Sequence, residues 1–161
     1  MQLHPLIVHF PIALRMVYCL ILVVQLFWWR DNDKLNTIKH FCLIAGTVWG
    51  IAALQTGDAS LDVYGVSHIS HAHEERAEST GNFFTVLSIV TIYILQPWTQ
   101  RFARDQKVRH IVTKIISHRA MALVGIIGML LITIIGALGW AIARGEKADD
   151  ISKFIVQILV P

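Results

Sequence analysis

The chain has 161 residues, a formal net charge of +3, an apolar content of 55% against 16% charged residues, and a mean hydropathy of +0.56. That balance excludes an ordinary soluble domain, in which about a quarter of residues are charged.

Four continuous apolar runs follow one another, about Leu6 to Trp29, Ile38 to Thr56, Thr80 to Trp98 and Ala120 to Ala143. Each is near the roughly 20 residues that a helix needs to cross about 30 Å of hydrocarbon. Continuity rather than alternation excludes a β-barrel. The first run lacks a basic start and a small-residue cleavage pattern and is too long for a signal peptide, so it is expected to stay as a span. The fold read from this pattern is all-α: one membrane domain over residues 1–161, an integral four-helix bundle.

The first run opens His4-Pro5-Leu6-Ile7-Val8-His9-Phe10-Pro11. Pro5 suits the first helical position, whereas Pro11 lies inside, removes a backbone bond and frees the Ile7 carbonyl. At membrane depth such a break is tolerated only where another helix or a polar group takes up the slack. Arg15 is the most expensive residue of the chain, roughly 15 Å along the axis at 1.5 Å per residue. Its side chain leans toward the N-terminus, within reach of Asp58, Glu78 or a bound anionic group such as a propionate, a phosphate or a quinone oxygen. The plainer readings are a structural ion pair or simple snorkelling. His4, Pro11 and Arg15 share a helix face.

In the second run Gly46 and Gly50 make a small-xxx-small pair, and Gly125, Gly128, Gly136 and Gly139 space the fourth. Both patterns predict close helix packing, or else room for a flat macrocycle. Cys19 and Cys42 fall at different depths and read as packing residues. Between spans three and four, Val108, Ile111, Val112, Ile115 and Ile116 recur at helical spacing among Arg104, Lys107, Arg109 and Lys114, an amphipathic segment over residues 101–117. The tail from Asp150 to Pro161 puts Ile151, Phe154, Ile155, Ile158 and Leu159 on one stripe behind Asp149 or Asp150 as N-cap, which predicts a short interfacial helix.

With four spans both termini share a side, here called side A, with the loop between spans two and three. Its basic residues are Arg76, Arg144, Lys147 and Lys153, whereas side B holds nine: Arg30, Lys34, Lys39, Arg101, Arg104, Lys107, Arg109, Lys114 and Arg119. The asymmetry predicts side B in the cytoplasm and side A, with both termini, facing the periplasm. The basic pI of about 9.1 is thus a topology signal and not a mark of nucleic-acid binding.

Five histidines gather on side A: His4 and His9 at the start of span one, and His68, His71 and His73 before span three. If the chain is helical by His71, then His71, Glu75, Glu78 and Asn82 stack on one side. A His with a Glu three or four positions on can give two ligands to one ion, and His4 or His9 could complete a zinc, copper or iron site. The sharper expectation is that His9 and either His71 or His73 ligate a common centre, with His4, Glu75 and Glu78 around it. The plain alternative is a wet polar helix. No Walker, dinucleotide, nucleophile-elbow or HExxH pattern occurs.

The opening HPLIVHFPIAL resembles the signature of the domain of unknown function 2231 family, small four-span bacterial membrane proteins, and Thr56-Gly57-Asp58 is similar to that family's Gly/Asp element. The resemblance implies a bacterial inner-membrane protein and directs attention to His4, Pro5, His9, Pro11, Gly57 and Asp58. This chain departs from it at Arg15, where an apolar residue is expected, and in a tail without the glycine-rich, histidine-containing ending. The resemblance implies no activity. The leading expectation from the residues is a redox-associated subunit whose side A histidines hold haem b or a transition metal, exchanging electrons with a quinone or a periplasmic partner. The alternative is a cofactor-free accessory or assembly subunit of a larger membrane complex. A transporter ranks third, for want of an inverted repeat.

Overall fold

The computed structural model describes residues 4–28, 32–64, 68–95, 110–111, 114–115, 120–145 and 148–160, the side chains of 4–6 and 58–64 excepted. These residues form α1 (His4–Phe27), α2 (Asp33–Tyr64), α3 (His68–Leu95), α4 (Met121–Arg144) and α5 (Asp150–Leu159), with no strand among them. Four helices are long and apolar enough to cross a membrane, over Ile7–Phe27, Asp33–Gly57, His68–Leu95 and Met121–Arg144. The integral four-helix bundle expected from hydropathy is therefore the fold. Most of the amphipathic stretch at 101–117 lies outside the described residues; within it His110, Ile111, Lys114 and Ile115 are helical and exposed.

The helices run further than the apolar runs. α2 begins at Asp33 rather than Ile38, with the Asn32 side chain accepting from the Leu35 amide at 3.1 Å, and α3 begins at His68 rather than Thr80. Hydropathy reports what lipid tolerates, whereas helicity follows propensity: Ala72, Glu74, Glu75, Ala77 and Glu78 are strong helix formers with no proline among them. α2 is 32 residues long, about 48 Å at 1.5 Å per residue, so with α3 it outreaches the hydrocarbon.

α1 packs against α2 and α4, and α3 closes the ring against the same two. The contacts are antiparallel throughout. Phe10 stacks on Trp49 at 5.5 Å near side A while Gln25 meets Asn36 near side B; His73 lies beside Gly139 and Phe84 beside Gly128. Both termini therefore lie at one end. Fusing reporters to the C-terminus and within residues 101–114 tests the sidedness: opposite signals, with the C-terminus outside, are the expected result, and a cytoplasmic C-terminus would invert the assignment.

In lipid, helices gain little from burying apolar surface and associate through close packing and internal hydrogen bonds. Both devices are present. A β-carbon on Gly125 would lie 2.8 Å from the Cys19 carbonyl oxygen, and one on Gly128 2.6 Å from its Sγ, so α1 and α4 touch backbone to backbone there. Cys19 and Cys42 are free and buried, as packing residues. Phe84, fully buried, meets Tyr18 edge-on at 6.3 Å and Phe83 at 5.2 Å. Polar bonds join the helices: Thr47 and Ser88 share a hydrogen bond of 2.7 Å between α2 and α3. Toward side B, the buried Lys39 donates to Gln25 Oε1 at 2.8 Å and to Asn36 Oδ1 at 3.1 Å, and Gln25 Nε2 donates to the same Asn36 oxygen at 2.9 Å. The outer surface is apolar, with Phe41, Val48, Val86, Ile89, Leu123 and Leu130 exposed, as lipid contact requires.

α5 packs on α4 and turns Ile151, Phe154 and Ile158 outward, the stripe expected of an interfacial helix. Of the two candidate caps it is Asp149 that serves, accepting from Ser152 N and Ser152 Oγ at 2.9 Å each. These bonds, the backbone one foremost, hold the Asp149 carboxyl below its ordinary value. A depressed carboxylate stabilises its helix fully above the unfolded-state pKa, about 4 for Asp, and loses that contribution as pH falls through the lowered value. Protection of the α5 amides, measured against the exchange rate of unstructured amides at the same pH, should therefore hold from neutral pH down to about pH 4 and fall below it. Asp149→Asn, which caps without titrating, should flatten that dependence.

Candidate functional site

α1 supplies one buried cation near mid-span. Arg15 is 8% exposed, and its side chain runs along the groove that the missing side chains of Gly46 and Gly50 leave in α2. A β-carbon on Gly46 would sit 3.1 Å from Arg15 Cγ and one on Gly50 2.7 Å from its Cζ. Because α2 runs antiparallel, passing from Gly46 to Gly50 takes the side chain toward side A, the lean expected of it. The guanidinium ends over the Phe84 ring, Cζ 4.9 Å from the centroid. A desolvated cation on a ring face gains about 2 kcal/mol. That leaves its N–H donors to be satisfied, and Arg15 Nε is buried without a hydrogen-bond partner. Of the expected acidic partners, Glu78 is exposed, and the Asp58 side chain lies outside the described residues.

The glycine pair of α2 thus houses Arg15. Likewise Gly125 and Gly128 are filled by Cys19 and Phe84, and Gly139 by the His73 ring, whose Cε1 would lie 3.2 Å from a β-carbon there. At Gly136, which is exposed, a β-carbon would meet nothing within 4 Å.

The side A histidines share an end of the bundle and differ in direction. His73 is half-buried at the seam of α3 and α4. His71 is exposed, 3.9 Å from Glu74, and shares an outward face with the exposed Glu75, Glu78 and Asn82. The stacking expected of those four is present, turned to the outside. His9 is exposed on the stripe that carries Ala13, Leu20 and Phe27. The backbone of His4 starts α1, and its side chain is not described. Among the described residues no three His, Cys, Asp or Glu side chains come close enough to hold a metal ion.

Sequence reasoning passed over the inner face of α3. Arg76, Thr80, Phe84 and Ser88 follow at four-residue spacing and line one stripe toward the bundle axis. Thr80 is 1% exposed; its Oγ1 and the Nε of Arg76 are, like Arg15 Nε, buried without a hydrogen-bond partner. The signal was available as a polar stripe continuing down a helix into an apolar span. The buried Lys39 was likewise counted only as a topology charge.

No curated protein and no solved structure shows a significant match to this chain. A family model described as predicted membrane protein (DUF2231) matches residues 1–150, covering all four spans. The match joins the HPLIVHFPIAL opening and the four-helix fold in one assignment: the chain belongs to the DUF2231 family of predicted membrane proteins.

Proposed function

We propose that this multi-pass protein acts as an accessory or assembly subunit of a larger complex in the bacterial inner membrane, with side B toward the cytoplasm. The observation that supports this reading is the division among the span glycines: those facing the bundle are met by the chain's own side chains or backbone, and Gly136 faces outward with open space. An outward small residue in a span lets a foreign helix approach to backbone distance. Photo-crosslinking from position 133, an exposed threonine on α4, should trap a discrete partner in native membranes. Gly136→Leu should abolish the adduct while leaving the bundle's melting unchanged. Crosslinks to lipid alone would refute the reading.

A second reading is redox work, with haem b or a transition metal at side A and a quinone or periplasmic protein as electron partner. One observation favours it: His73 is held in place at the α3–α4 seam by Gly139, at the end of the bundle where His4 begins α1. Neutral imidazoles from two helices are a common way for a bundle to hold iron. An absorption spectrum with elemental analysis of the purified protein separates the two readings. A haem band or stoichiometric metal that disappears in His73→Ala favours the redox subunit, and their absence favours the accessory one.

A further inference from the structure

From the side A end toward the centre, the interior presents Arg76, then Thr80 one turn on, then the Phe84 ring with the Arg15 guanidinium laid over it. Three polar atoms along this line, Arg76 Nε, Thr80 Oγ1 and Arg15 Nε, are buried without a partner. A buried donor left unsatisfied costs about 1–3 kcal/mol, more when it is charged, and folded proteins leave few of them. Here Arg76 and Thr80 fall on one face of α3, Arg15 reaches from α1 to the next position of that face, over Phe84, and two of the three orphans belong to cations. The acids of α3 do not answer them: Glu75 and Glu78 are exposed, and Glu74 lies beside the outward His71 at 3.9 Å.

We infer that Arg15, Thr80 and Arg76 form an oxyanion site opening toward side A, built for a phosphate group. Two guanidinium forks and a hydroxyl are the donor set that a tetrahedral oxyanion recognises, and charge-assisted bonds of this kind are roughly twice as strong as neutral ones. The low dielectric of the span strengthens the attraction further. Gly46 and Gly50 make the site possible, because any side chain there would take the space of the Arg15 arm. The phosphate is either free inorganic phosphate or the headgroup of an anionic lipid in the side A leaflet. This inference is independent of the accessory reading.

The test uses the full chain, first in a neutral maltoside detergent with inorganic phosphate titrated against chloride at equal ionic strength. A second arm uses nanodiscs of phosphatidylcholine with and without phosphatidylglycerol. At saturating ligand the melting temperature should rise by about 5 °C or more. Arg15→Met should abolish the rise, and Thr80→Val should reduce it. Arg15→Met should itself fold as well as the parent or better, because replacing a buried, incompletely bonded cation by an apolar side chain of similar length removes a desolvation cost. A rise with inorganic phosphate identifies a free anion, and a rise with phosphatidylglycerol alone identifies a headgroup; both support the site. No rise in either arm, or a rise that survives Arg15→Met, overturns it. A strong coupling between Arg15→Met and Asp58→Asn in a double-mutant cycle, without any anion response, also overturns it and gives the cation to the chain's own acid.

Discussion

Phe84→Ala should be the costliest single truncation in the bundle. The ring is fully buried, fills the gap opposite Gly128, meets Tyr18 and Phe83 edge-on, and carries the Arg15 guanidinium on its face. In a soluble core Phe→Ala costs about 3–5 kcal/mol, part of it the loss of transfer from water. Lipid shrinks that part, so the low end, about 3 kcal/mol, is expected from lost packing and the cavity alone. The substitution also strips Arg15 of its ring, adding up to about 2 kcal/mol for a desolvated cation–π contact. Thermal melting in detergent should show the loss. Pairing Phe84→Ala with Arg15→Met should recover part of it, because the cation no longer needs a platform. A Phe84→Ala protein that melts like the parent would mean that α3 does not pack as described.

Gly125→Leu should separate α1 from α4. Even the β-carbon would lie 2.8 Å from the Cys19 carbonyl and 3.1 Å from Leu22 Cβ, and a backbone oxygen cannot turn aside as a side-chain tip can. Gly125→Ala, which removes a helix-destabilising residue, should nevertheless lose about 1–3 kcal/mol from overpacking. Gly136→Ala is the matched control: it makes the same change on the same helix in open space and should be neutral or slightly stabilising. Melting temperatures of the two alanine variants decide the matter, and equal values would show that the α1–α4 approach is not close.

The fold was legible because lipid imposes one requirement on every span, and length with continuity reports it. The cap at Asp149 and the outward stripe of α5 were legible for a similar reason, being local patterns. Azimuth was not. His9 and Arg15 are six residues apart, about 600° at 100° per residue, so an inward Arg15 already turns His9 toward the outside. An inward Arg15 and an inward His9 exclude one another on a regular helix. His71 and His73, two residues apart, likewise point opposite ways, and only the α4 packing shows that His73 meets Gly139. Arg15's housing escaped the sequence because it depends on the antiparallel register of α1 and α2, which brings Gly46 and Gly50 alongside.

That housing bears on how the protein is made. α1 emerges from the ribosome before α2 exists, and an arginine well inside an isolated span opposes its insertion by about 2.5–3.5 kcal/mol at the membrane centre. The glycines that accommodate it lie on the next helix, and Gln25, also on α1, finds Asn36 and Lys39 there too. The first two helices are thus fitted to enter the membrane as a hairpin rather than singly.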